Sequence, residues 1–319
     1  MNIKPLLVRV VHVGDDHRVA ELSLPAGVLA FAERGPDWTA FVQRLPRLVR
    51  ELTHEWGLDV DGDPRHGYCA LVVPVRQEGR PAILKLGFPD DESEHEALAL
   101  QRWGGDGAVR LLSADPRRSA LLLERLHETD LTSVDELEAC ELVGERYARL
   151  HVAAPPQLRR LTSYVARWTE QLAALARDAP IPHRLVLQAV SLGHDLVSDE
   201  ASTGVLIHAD LHYENVLAGD REPWLVIDPK PVSGDPHYEP APMLWNRWDE
   251  IVVFGDVRTA IRRRFHTIVD TAGLDEDRAR DWVVVRMLHN ALWELENHPD
   301  APDHDYLTMC VAIAKAVQD

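Results

Sequence analysis

Apolar and polar positions change rhythm near residue 58 and again near residue 127. The alternation in 5–13 predicts a strand, and 14–36 show no period. From Asp37, one helical face runs through Trp38, Phe41, Val42 and Leu45, and Leu45, Leu48, Val49, Leu52 and Trp56 continue it with helical spacing. Pro46 predicts a division into two helices, because proline fits only a first turn. Between 58 and 126 the period shortens to that of strands. Tyr68 to Val75 and Pro81 to Leu86 flank the turn QEGR, and a second hairpin turns near Asp115-Pro116 before Ala120 to Leu123. Between the hairpins, DDESEHEALALQRW predicts a helix with acidic residues in its first turn, where the helix dipole favours them. Past His127 the helical period returns. Ser133 with Glu136 predicts a capping box, and further helices are predicted to Pro155, across Leu161 to Leu175, from His183 to Val197, over Arg258 to Thr271 and Asp277 to Glu296, and across 304–317. Trp282, Met287 and Trp293 are expected on or near the inner face. A strand-rich first part and a helical second part predict an α+β protein.

The helical part is interrupted once, by the segment from Val205 to Pro236. Val205, Leu206 and Ile207 lead to His208 and Asp210, and a polar loop reaches Asn215. Two apolar segments, Val216 to Ala218 and Trp224 to Ile227, then flank Gly219 and Asp220. A hairpin pairing Val216 with Ile227 would set Asn215 opposite Asp228, about 5 Å apart at Cα. An amide oxygen and a carboxylate could then share one hard cation, with Asp210 beside them. This trio suits phosphoryl transfer from a magnesium nucleotide, where the protein mainly positions groups and neutralises charge. Mg²⁺ takes one or two protein oxygens plus phosphate oxygens, here Asn215 and Asp228. Asp210 would orient and deprotonate the attacking hydroxyl.

HADLHYEN and VIDPK resemble the H-x-D-x-x-x-x-N and I-D-x motifs of the aminoglycoside phosphotransferases and related small-molecule kinases. IDPK and GDPHY are similar to the branch containing streptomycin 6-phosphotransferases and hydroxyurea phosphotransferases. The resemblance implies a two-lobed protein-kinase-like fold, with a small β-rich N-terminal lobe and a larger, mainly helical C-terminal lobe. The boundaries expected are 1–57 for an N-terminal extension, 58–126 for the nucleotide lobe and 127–319 for the helical lobe. It implies ATP or GTP with Mg²⁺, and a loop around Gly62, Pro64 and Gly67 whose amides face the phosphates. It implies that backbone groups near Glu124 and Leu126 meet the adenine edge. Lys85 stands in the apolar strand AILKLGF, where an ammonium needs a partner. The resemblance makes it the phosphate clamp held by Glu96, which shares a helix face with Leu100 and Trp103.

Composition narrows the partners. Of 319 residues, 45% are hydrophobic and 27% charged, and 52 acidic against 34 basic residues leave a net charge of −18. Nucleic acid and anionic membrane are disfavoured, and a small cationic hydroxylated substrate is favoured. Cys69, Cys140 and Cys310 show no metal spacing and read as reduced thiols of a cytoplasmic protein. His208 and His212 stand four apart, a zinc spacing only on a helix. His208 is expected to support the catalytic loop, and His212 and Tyr213 to pack it. Asp235 reads as a turn residue, while a bracing role for Glu239 is open because relatives often carry aspartate there. Lys230 faces either phosphate or substrate, or pairs at the surface. Trp245, Asn246, Asp249, Glu250, Glu294 and Glu296 are candidates for holding cationic groups. The expected activity is phosphorylation of a streptomycin-type aminoglycoside. The same chemistry on hydroxyurea, a sugar or a peptide antibiotic, and a low-turnover nucleotide-binding module, are the alternatives. The absence of D-F-G and A-P-E after Asp228 argues against a protein kinase.

Overall fold

The computed structural model describes residues 23–318. The strand expected over 5–13 lies outside them. Part of the segment expected to be irregular is helical: α1 (Ala26–Ala30) continues as a 3-10 turn, Phe31–Arg34. Burial of Val28 and Phe31 gives that short segment its anchor.

α2 (Pro36–Glu55) is one helix with Pro46 inside it, not two. Phe41, Val42, Leu45, Val49 and Leu52 form an unbroken buried stripe on both sides of the proline. Apolar burial of ~1.5–3 kcal/mol per large side chain outweighs the ~3 kcal/mol of an interior proline.

That stripe covers one face of a sheet built from β1 (Leu58–Val60), β2 (Arg65–His66), β3 (Ala70–Gln77), β4 (Arg80–Gly87), β5 (Leu111–Asp115) and β6 (Ala120–Glu124). The antiparallel order is β1-β3-β4-β6-β5, with β2 also pairing β3. Glu78 and Gly79, both at positive φ, close the β3–β4 hairpin, the backbone that a two-residue type I′ turn requires. Alternation along β4 sends Ala82, Leu84 and Leu86 toward α2. Ile83 and Lys85 therefore face the opposite side, which lines a cleft. α3 (Glu96–Trp103) follows β4. The acidic run before it forms turns rather than a first helical turn, with Asp90 accepting from the amides of Glu92 and Ser93.

The second part comprises α4 (Glu136–Leu150), α5 (Leu161–Ala173), α6 (His183–Ser198), α7 (Ala241–Trp245), α8 (Trp248–Val253), α9 (Val257–Ala272), α10 (Glu276–Asn297) and α11 (His304–Ala316), of which α5 to α11 pack around two apolar clusters. A third cluster joins α3 and α4 to the catalytic segment. Asp135, not Ser133, caps α4 by accepting from the Leu137 and Glu138 amides. Glu136 is drawn instead to the buried Arg264, 2.8 Å away. Trp293 is 44% exposed rather than inward, because Leu292 and Glu294 take the buried positions of that turn. Inserted among the helices are a small sheet, β7 (Val152–Ala153), β8 (Val205–Ile207) and β11 (Val232–Gly234), and a ribbon of β9 (Val216–Ala218) and β10 (Trp224–Val226).

Candidate active site

The cleft between the sheet and the helical part has a volume of about 1420 Å³, and Lys85, Glu96, Asp210, Asn215, Asp228 and Lys230 all line it. Lys85 is the hub. Its Nζ donates to both carboxylate oxygens of Glu96 at 2.7 Å and to Asp228 Oδ1 at 2.6 Å. Burial alone would drive the ammonium to lose its proton, but Asp228 and Glu96 more than offset that and push its pKa up. For Asp228, burial is outweighed by Lys85 and Lys230, and the carboxyl is held well below the usual range. Glu96 is shifted the other way, burial raising its carboxyl although Lys85 pulls it down, and the Lys85 ammonium bridges both carboxylates across the cleft.

The ribbon differs by one residue from the expected hairpin. Val216 pairs with Val226, not Ile227, because Ala218 pairs with Trp224 across five residues rather than with Leu225 across six. The Ile227 amide donates to the Asn215 carbonyl at 2.9 Å, and Asp228 follows at φ +54. Asn215 and Asp228 are therefore not direct cross-strand partners, yet both side chains line the cleft. Asn215 Nδ2 donates to the Asp210 carbonyl at 2.8 Å, so its amide oxygen remains available as a ligand. Asp228 offers Oδ2, since Oδ1 is engaged by Lys85. One amide oxygen and one carboxylate oxygen fit a hard cation that also takes phosphate oxygens. They do not fit zinc, and the His208 and His212 pair is no alternative. The His208 imidazole is committed within the chain, Nε2 to the Ile227 carbonyl (2.9 Å) and Nδ1 to the Asp210 amide (3.2 Å).

Asp210 is enclosed, and burial pushes its carboxyl up to about 6, with Arg286 and His208 pulling the other way. That value suits a proton acceptor working near neutrality. Its backbone is held by residues that the motif does not contain. Ala209 sits at φ +64, a conformation costing an L-residue ~1–2 kcal/mol. Its amide donates to Glu239 Oε2 (3.0 Å), and its carbonyl accepts from Arg286 Nη2 (2.5 Å). Glu239 Oε1 also accepts from the His208 amide at 2.6 Å. Burial opposes the Glu239 charge, and His151, 3.5 Å away, leads the interactions that hold its carboxyl below the usual range. Arg286 lies 4.2 Å above the Tyr238 ring and 4.9 Å from that of Trp245. Glu239 thus fills the bracing role that the sequence left open. Asp235 is a brace as well, not merely a turn residue: it accepts from Arg278 (2.6 Å), Trp282 Nε1 (2.7 Å) and His237 Nδ1 (2.6 Å).

Arg286 escaped the sequence reading, although an arginine inside WVVVRMLHN signals a buried charge that needs partners. Among the other expected residues, Gly67, Glu124, Leu126, Trp245 and Asn246 line the cleft. The Gly67 amide is engaged by the Ala70 carbonyl at 3.0 Å, so it does not point at a phosphate. The Glu124 amide donates to Arg110, and its carboxylate meets Arg221 at 2.7 Å. Among the described residues, no carboxylate lies within ion-pair distance of Lys230, so it is not a surface pair. Asp249 and Glu250 are exposed outside the cleft lining, with Glu250 held by Arg247 at 2.7 Å. Glu294 is turned away, accepting from the Asp303 amide (2.7 Å), and Glu296 is exposed. These four carboxylates serve the helix surface and its turns.

Residues 55–298 match the family model of the aminoglycoside/hydroxyurea antibiotic resistance kinases. The chain is 41% identical over 290 residues to a streptomycin 6-kinase of Streptomyces glaucescens, covering 89% of this chain and 93% of that one. It is 39% identical to a hydroxyurea phosphotransferase of Kitasatospora aureofaciens, covering 93% and 88%. Among solved structures, a spectinomycin phosphotransferase bound to ADP and spectinomycin shares the fold, with a TM-score of 0.57 at 16% identity over 85% of this chain and 98% of that one. A choline kinase of Streptococcus pneumoniae does so too, at 0.56 and 12% over 86% and 99%. With its two-lobed kinase-like fold, Lys85 clasped between Glu96 and Asp228, and Asp210 at the cleft, the chain belongs to the aminoglycoside/hydroxyurea antibiotic resistance kinases, phosphotransferases acting on a hydroxyl group.

Proposed function

We propose that this chain transfers the γ-phosphoryl group of ATP to a hydroxyl of a streptomycin-type aminoglycoside, inactivating it. The observation that carries the reading is the Lys85 ammonium held between Glu96 and Asp228 beside Asp210. Identity near 40% to streptomycin 6-kinases over most of both chains supports the acceptor. Lys85 binds the inner phosphates, and Lys230 adds positive charge to the same cleft. Asn215 and Asp228 would hold a magnesium ion, which when bound neutralises phosphate charge. Asp210 orients the acceptor hydroxyl and takes its proton, Glu239 and Arg286 hold the loop in place, and Trp245 and Asn246 contact the acceptor. The sheet of 58–126 serves the nucleotide, 127–319 the acceptor, and 1–57 is an extension of the former. Free cysteines at 69, 140 and 310 accord with a reducing compartment, and no described helix is long and apolar enough to cross a membrane.

A second acceptor, hydroxyurea, is favoured by the 39% identity to a hydroxyurea phosphotransferase. ADP release measured with streptomycin, other aminoglycosides and hydroxyurea separates the readings. Streptomycin is expected to stimulate turnover most and to gain one phosphoryl group by mass. Stimulation by hydroxyurea alone would transfer the assignment. ATP binding without stimulation by any acceptor would favour a nucleotide-binding module.

A further inference from the structure

The loop between Asp210 and Asn215 holds a polar side chain that the chain itself does not satisfy. His212 lines the same cleft as the phosphotransfer residues. Its Nδ1 is buried and has no hydrogen-bond partner, and the nearest carboxylate oxygen, Glu214 Oε2, stands 3.9 Å away. The ring keeps 17% exposure. Nε2 is neither buried nor bonded by a protein group, so it is the nitrogen open to the cleft.

These two environments select a tautomer. A proton on Nδ1 would be a buried donor with no acceptor, the costlier way to leave a polar atom unpaired. The hydrogen is therefore carried on Nε2, the nitrogen that is not buried. Sequence spacing alone suggested loop packing for His212, but packing does not explain a donor presented to the cleft.

Resting on the phosphotransfer reading, we propose that His212 Nε2–H donates to the outermost phosphoryl group of the bound nucleotide. His212 lies on the segment joining Asp210, which meets the attacking hydroxyl, to Asn215, which faces the phosphates. A group passing between those two points travels along the stretch of loop that carries His212. An N–H there binds a phosphoryl oxygen by a directed hydrogen bond, beside the positive charge that Lys85 and Lys230 supply to the same cleft.

Three substitutions of the full-length chain place the donor differently. In His212→Gln the amide nitrogen reaches the Nε2 position, in His212→Asn it stops near Nδ1, and His212→Phe keeps only the ring. Calorimetric titration with magnesium ADP and with the non-hydrolysable ATP analogue AMP-PNP reads the outermost phosphoryl group without any acceptor. The Phe and Asn variants are expected to lose roughly tenfold in AMP-PNP affinity, as for one hydrogen bond to a charged group, with ADP affinity unchanged. Gln is expected to keep most of the wild-type preference. Equal losses for both nucleotides, no loss, or rescue by Asn instead of Gln would each overturn the proposal. Should wild type bind neither nucleotide, the phosphotransfer reading falls and the proposal with it. Should nucleotide preference follow the expected pattern while no acceptor is turned over, only the acceptor assignment fails.

Discussion

The two walls of the cleft are built on opposite principles. The catalytic wall is a strained loop held by buried polar groups: Ala209 at positive φ, its amide on Glu239, its carbonyl on Arg286, and the His208 ring on Ile227. The sheet wall presents an apolar face, with Val72, Ile83 and Leu121 around Lys85. Its turn at 67–69 is tipped by Tyr68, 81% exposed. That turn is held from outside by Arg34, which stacks on the Tyr68 ring at 4.7 Å and donates to its carbonyl at 2.9 Å. Groups that must meet reacting atoms are over-determined by hydrogen bonds. The wall proposed to take the nucleotide relies on shape and one charge.

The bond that joins the walls should give the largest effect. Lys85→Met strands Glu96 and Asp228 as unpaired carboxylates at the seam. A loss of ~3–5 kcal/mol in stability is expected for breaking such a pair, measured by urea denaturation, together with loss of nucleotide binding. An unchanged midpoint would show that the walls are not joined there.

Next comes the catalytic wall itself. Glu239→Gln turns one of two acceptors into a donor facing a backbone N–H, so ~2 kcal/mol of stability and about tenfold in kcat should go. If kcat holds while the midpoint falls, Glu239 supports the fold but not the loop geometry.

A third expectation concerns pH. Burial depresses the His289 imidazole to about 3, below its unfolded value, so its stabilising effect is full above ~6.5 and is lost as pH falls toward 3. His289→Gln should flatten the acid slope of stability in that window by up to ~1.4 kcal/mol per pH unit. A slope identical to wild type would mean that His289 is protonated without cost.

Tyr68→Ala should do least, shifting stability by under ~0.5 kcal/mol and the nucleotide KM by no more than severalfold. A large effect would mean that the sheet wall is as tightly specified as the catalytic one.

The same contrast explains what the sequence disclosed. Asp210 and Asn215 were legible because six consecutive residues of one loop carry both, and Lys85 because a lone lysine in an apolar strand demands partners. Glu239 and Arg286 act on Ala209 from 30 and 77 residues away, a separation that no local pattern encodes. Where local signals misled, tertiary packing had prevailed. The stripe through Leu45 and Val49 carried α2 across Pro46, Arg264 drew Glu136 away from a cap, and a turn one residue shorter moved Asp228 one register step. Asp249, Glu250 and Glu294 matched a cationic substrate in chemistry, but helix geometry points them elsewhere.

Most direct is a comparison of Asp210→Asn with the wild-type chain, measuring streptomycin-stimulated ADP release beside AMP-PNP affinity. Removing the proton acceptor should lower kcat by about 10²–10⁴ and leave AMP-PNP affinity within severalfold. Wild-type turnover in the variant, or parallel loss of nucleotide binding, would contradict Asp210 as the group that receives the hydroxyl proton.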